Sequence, residues 1–123
     1  MKQIIATALL TAVFLVTPGA AGTAIHHGWA NYDTARVLNM TGTVREVKYG
    51  SPHVVIQFQP SGDGARRWEA ILAPPSRMER RGLPKERLTV GTTARLVGYP
   101  HRKNAGELRA ERIIIGNDTT ELR

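Results

Sequence analysis

"TGTVREVKYGSPHVVIQFQP", residues 41–60, alternates apolar and polar residues in two runs separated by a Ser-Pro turn signal. In the second run Val54, Ile56 and Phe58 share one parity, with Val55, Gln57 and Gln59 on the other. Successive side chains of a strand point to opposite faces, so this is the pattern of a strand half-buried against a core. The first run is less regular. Val44 and Val47 differ in parity, so the strand either turns one of them to solvent or carries a bulge between them.

Towards the C-terminus the same grammar continues. "SGDG" (61–64) is a hairpin loop rich in residues that tolerate turn conformations. "RRWEAILAP" (66–74) reads as a third strand with Trp68, Ala70 and Leu72 facing inward. "PPSRMERRGL" (74–83) breaks the alternation. Ser76 and Glu79 have the spacing of a capping box, and Gly82 stands where a left-handed residue would end a helix, which predicts a short helix over 76–81 with Met78 and Leu83 as its apolar contacts. A fourth strand is expected at 93–99, a polar loop at 101–107 and a fifth strand at 108–115.

Three strands, a short helix and two strands is the element order of an OB-like barrel, an all-β, five-stranded antiparallel barrel with its helix between the third and fourth strands. Closure removes the edges that a lone meander exposes. An open five-stranded sheet or a small sandwich is the alternative.

Towards the N-terminus, Lys2, the apolar run Ile4–Val16 and the small-residue exit "TPGAAGTA" read as a secretory signal over 1–24, cleaved after Ala24 or Ala21. The apolar core is shorter than the roughly 20 residues a spanning helix needs, so no transmembrane segment is expected after cleavage. The organisation expected is a signal at 1–24, an N-terminal leader at 25–40, a barrel at 41–116 and a tail at 117–123. This size supports one domain.

The chain has no cysteine, which excludes disulfides, thiol redox chemistry and thiolate metal sites. An exported domain without them fits a bacterial periplasm better than a eukaryotic exterior. The formal charge of +7 suggests attraction to anions. Outside the cytoplasm nucleic acid is scarce, which leaves a soluble basic surface as the plain reading and an anionic envelope partner as the functional alternative.

Catalytic patterns are missing: there is no G-x-S-x-G, no H-E-x-x-H and no phosphate-binding glycine loop. Carboxylates such as Glu46 and Glu111 stand beside arginines in the manner of surface pairs. The reading is a binding protein rather than an enzyme.

Histidines are the lead towards a metal, copper or another transition metal, since neutral imidazole is a common ligand. "IHHGWANYD" (25–33) places His26 and His27 side by side. Adjacent rings on an extended chain diverge, so a shared site needs His53 or a free terminal amine as well. Asp33 would stand behind as a supporting carboxylate. Trp29 and Tyr32, three apart, would staple the leader to the barrel mouth or contact a partner. Arg66, Arg67 and Trp68 form the one compact basic–aromatic group and are the candidate partner-binding residues. "RMERRGLPKER" (77–87) is a basic segment read as a solvated face.

Taken together, "HHGWANYD", "TGTVREVKYGSPH", Trp68 with "LAPPSRMERRGL", and "VGYPHR" resemble a family of small exported bacterial proteins carrying a domain of unknown function. Its members typically show His-His-Ser-Phe-Ala, a Phe/Tyr-Asp pair, Gly-Thr-Val and Asn-Pro-His. Here Gly28-Trp29-Ala30 replaces Ser-Phe-Ala, and Ser51 replaces Asn. The resemblance implies a periplasmic β-barrel-like domain with His26, His27, Asp33 and His53 as the recurring polar positions, and it implies no activity. The expected function is an exported binding module with a histidine-centred metal site. The competing expectation is an envelope interaction protein whose basic face binds an anionic partner.

Overall fold

The computed structural model describes residues 28–123. A single 3-10 turn, Trp29–Asn31, opens this part of the chain. The strands follow as β1 (Leu38–Lys48), β2 (Val55–Pro60) and β3 (Trp68–Ile71), then helix α1 (Pro75–Arg80), a 3-10 turn at Lys85–Arg87, and β4 (Thr93–Pro100), β5 (Glu107–Ile115) and β6 (Asp118–Glu121). Hydrogen bonding runs in the order β3-β2-β1-β4-β5-β6, and a parallel β3–β5 ladder joins the two ends of the first five strands into a closed barrel. The all-β, OB-like topology read from the strand order is therefore the topology of the chain, with α1 between β3 and β4.

The parity conflict in the opening stretch resolves as a bulge. Val44 pairs with Phe58 and Glu46 with Gln57, which leaves Arg45 as the extra residue. Val44 is thereby fully buried and Val47 packs against the same core, so both valines serve it. On β2, Val54, Ile56 and Phe58 are all fully buried. They meet Ala70 and Leu72 from β3 and its exit, Ala94 and Leu96 from β4, and Leu108, Ala110 and Ile113 from β5.

Two glycines let the strands approach closely. A Cβ on Gly42 would run into the Gln59 carbonyl, and one on Gly98 would meet the Cα of Ala110 at 2.9 Å. Gly98 also lies at the register shift between β4 and β5. A bulge with a glycine is how a tightly coiled wall turns its corner.

Helix α1 differs in detail from expectation. It starts one residue earlier, with Pro75 in its first turn and Pro74 as N-cap, and no side-chain cap bond forms. Ser76 lies inside the helix, so the capping box is not used. A proline at the helix start needs no partner for its missing N–H, which makes a side-chain cap less necessary. Gly82 takes φ +86 as expected, and Leu83 N donates to Met78 O at 2.9 Å to close the end. Met78 and Leu83 are buried.

Residues 117–123, expected to trail as a tail, instead pair with β5 as β6 and end in the buried Leu122. Gly116, with φ +60, and Asn117 form the two-residue link between Ile115 and Asp118. Arginines of the segment read as a solvated face hold this strand. Arg77 donates to Leu122 O at 3.1 Å, Arg81 to Glu121 O at 2.6 Å, and Arg87 pairs with Asp118 at 2.5 Å. Similarly, the leader expected to reach residue 40 gives way to β1 at Leu38. Among the described residues no helix is long and apolar enough to cross a membrane.

Candidate functional site

The barrel wall carries a second, smaller buried layer on its outside. Leu108 and Ala110 point into the core, so Arg109 between them points outward. Its lateral neighbours are Ile71 across the parallel ladder and Tyr99 across the antiparallel one. All three are buried, yet none belongs to the barrel core. Among the described residues the segment 28–36 covers part of this layer, crossing β4's end through Tyr32 bridging His101 and Asp33 N donating to Pro100 O at 2.9 Å.

Trp29 supplies the lid of this layer. Its ring stands edge-on to Tyr99 at 6.1 Å and has two guanidinium groups over it, Arg109 at 4.9 Å and Arg123 at 4.6 Å from its centroid. Tyr32 is fully buried and donates its hydroxyl to Glu107 at 2.6 Å. Tyr99 donates to Glu111 at 2.6 Å. Burial, and then the bond to Glu107, pushes the Tyr32 phenol well above its ordinary range. The bond to Glu111, and then burial, raises Tyr99. Burial pulls the Arg109 guanidinium below its usual range.

The staple expected of Trp29 and Tyr32 is thus real, but it lies on the outer face of the wall rather than at the mouth. Tyr32, being fully buried, offers no surface to a partner. Arg109 and Glu111, read as members of a surface charge pair, are instead part of this layer. The periodicity of β5 carries no trace of it, because the cover comes from a segment more than 70 residues earlier in the chain.

His26 and His27 lie outside the described residues. His53 is half-buried at the head of β2, with Nε2 3.3 Å from Arg109 Nη2. A guanidinium at that distance disfavours a metal cation on the same nitrogen. Asp33 is occupied in a turn, its Oδ1 accepting Ala35 N at 3.2 Å. His101 accepts two backbone amides on Nδ1, from Lys103 at 3.0 Å and Asn104 at 2.9 Å, so this nitrogen carries no proton and ties down the β4–β5 loop. Among the described residues no group of three or more His, Cys, Asp or Glu could hold a metal ion.

The same loop builds a groove of about 250 Å³. Arg36 from the covering segment, Arg66 and Trp68 from the β2–β3 side, and Arg102 and Lys103 from the β4–β5 loop line it, with His101 and Asn104 between. The two sides meet where Glu69 N donates to Gly106 O at 2.8 Å. No carboxylate lines it. Arg36, Arg66 and Lys103 are exposed, and their side chains make no hydrogen bond or ion pair among the described residues, while Arg102 Nε reaches Ala30 O at 3.2 Å. Of the basic–aromatic group singled out in the sequence, Arg66 and Trp68 line the groove and the exposed Arg67 does not. Arg36, Arg102 and Lys103 escaped sequence reasoning because only the fold brings their two segments to Arg66 and Trp68.

A closed five-stranded barrel of OB-like topology, with an external covering segment and a basic groove at one loop, defines a small all-β barrel domain. The chain belongs to a family of unknown function (DUF6152), which it matches over residues 14–109. That stretch contains every residue lining the groove, and it stops short of β6 and Arg123. No curated protein matches the chain.

Proposed function

We propose that the protein is an exported, periplasmic binding module whose basic groove takes an anionic partner. The carrying observation is the convergence of Arg36, Arg66, Arg102 and Lys103 on one groove with no carboxylate in its lining. Unpaired cations held close together repel one another, and an anion between them relieves that repulsion. Export is supported by the charged, apolar and small-residue succession over 1–24. A histidine-centred metal site gains little support, because the described residues lend it His53 alone and set Arg109 beside it.

Binding to dextran sulfate at two salt concentrations tests the groove. The double variant Arg36→Glu/Lys103→Glu is expected to lose about tenfold or more in affinity, since each reversed charge acts at short range. The control Arg45→Glu/Arg80→Glu, two exposed cations away from the groove, is expected to lose far less. Equal losses in the two variants would mean that net charge alone attracts the polymer, and would sink the groove reading. Mass spectrometry of the N-terminus of protein recovered from the periplasm tests export.

A further inference from the structure

We infer that the anion taken by this groove is a phosphomonoester carried on a sugar ring, the phosphate held by the groove's cations and the ring laid on Trp68. This rests on the anion-binding reading above and adds the chemistry of the ligand. Charge comes first. Arg36, Arg66, Arg102 and Lys103 converge on about 250 Å³, room for one small moiety rather than a length of polymer. A phosphomonoester brings about −1.5 to −2 charges and three acceptor oxygens near neutral pH. It answers several cations arriving from three separate segments better than a singly charged carboxylate does. Guanidinium forks also match phosphate oxygens in pairs.

The ring follows from Trp68, which is only partly buried and lines the groove. The other ring in the lining, His101, is committed elsewhere: it stands edge-on to Tyr32 at 5.1 Å, and its Nδ1 is used by the loop amides. Trp68 packs against the barrel core and is the single indole in the groove's lining, which suits one ring. Single-stranded nucleic acid is held by several aromatic faces on successive bases, which this groove lacks. A nucleobase would also bring polar edges that need matched partners, and the one amide in the lining, Asn104, gives its Nδ2 to Glu107 at 3.0 Å. A sugar laid on the indole keeps its hydroxyls in the water of an open groove and needs no such match.

A free sugar phosphate and the phosphorylated saccharide headgroup of a lipid present the same chemistry. The purified protein is titrated by calorimetry with glucose 6-phosphate, inorganic phosphate, glucose and adenosine monophosphate. In parallel it is co-sedimented with vesicles containing lipid A and with vesicles containing phosphatidylglycerol. Either glucose 6-phosphate over inorganic phosphate, or lipid A over phosphatidylglycerol, is expected to bind about tenfold tighter, the factor that one ring stack of ordinary strength gives. Which of the two does so names the source. Trp68 emission in a Trp29→Phe variant should change on binding, and Arg66→Ala, at an exposed position, should weaken glucose 6-phosphate and inorganic phosphate alike without unfolding the protein.

Equal binding of glucose 6-phosphate and inorganic phosphate with no lipid A preference overturns the inference, as does tighter binding of adenosine monophosphate than of glucose 6-phosphate. No binding of any of these overturns it too. In each case the dextran sulfate comparison stands separately, so the failure of this inference is distinguishable from failure of the anion-binding reading.

Discussion

Arg109 is 4% exposed although it points away from the barrel core, with the Trp29 ring 4.9 Å from its guanidinium and Tyr99 beside it on the neighbouring strand. Tyr32 and Tyr99 each hold a proton against a carboxylate, and both are raised above the unfolded phenol value of about 10. A folded-state pKa above the unfolded one means the unfolded chain gives up the proton first as pH rises. The stability these phenols contribute is therefore fully present below pH ~10 and is lost as pH climbs towards their folded values. Urea unfolding at pH 8 and again above pH ~10 should show a steep alkaline loss in the wild type. Tyr32→Phe should start lower by about 1–3 kcal/mol, the usual effect of leaving a buried acceptor short of its donor, and then decline less steeply. Parallel pH curves for the two proteins would refute the assignment.

At the scale of elements, β6 separates what the sequence reveals from what it hides. Leu122 is 1% exposed and sits in the main core, so Leu122→Ala should cost about 2–4 kcal/mol in urea unfolding. A loose tail would lose almost nothing, and such a result would detach β6 from the folded unit. Read as a tail, the segment nevertheless carries a turn signal, since Gly116-Asn117 between "RIII" and "DTTEL" has the composition of a two-residue hairpin. What the pattern lacks is an apolar residue inside the strand, since the position that Asp118–Glu121 buries is the polar Thr120. β1, β2, β4 and β5 were readable because each buries one face along its own run. Even the β1 bulge showed itself as a parity conflict between Val44 and Val47. The helix cap was misread because Ser76–Glu79 spacing competes with two prolines, which start the helix without a side-chain bond. The groove was half legible. Arg66 and Trp68 stand close together in the chain, whereas Arg36 and Lys103 become their neighbours only through barrel closure.

For the molecule as a whole, the cations fall into two working sets. Arg77, Arg81 and Arg87 brace β6 against α1 and its exit, and the groove set is left without side-chain partners among the described residues apart from Arg102. Positive charge is thus concentrated where no carboxylate answers it, on a wall that closure makes continuous. That wall is tied at both ends of the described chain to Trp29, through Arg109 on β5 and through Arg123 after β6. If Trp29 truly locks the covering segment to the barrel, segment and barrel should unfold together. Two single-tryptophan variants separate the signals: Trp68→Phe leaves Trp29 reporting on the covering segment, and Trp29→Phe leaves Trp68 reporting on the barrel. In Trp68→Phe, the fluorescence midpoint in urea should coincide with the far-ultraviolet circular dichroism midpoint of the sheet, as one cooperative unit requires. Fluorescence running ahead of the sheet signal would show the segment lifting first. The groove would then lose Arg36 while the barrel stayed folded, and anion affinity would fall at urea concentrations well below the global transition.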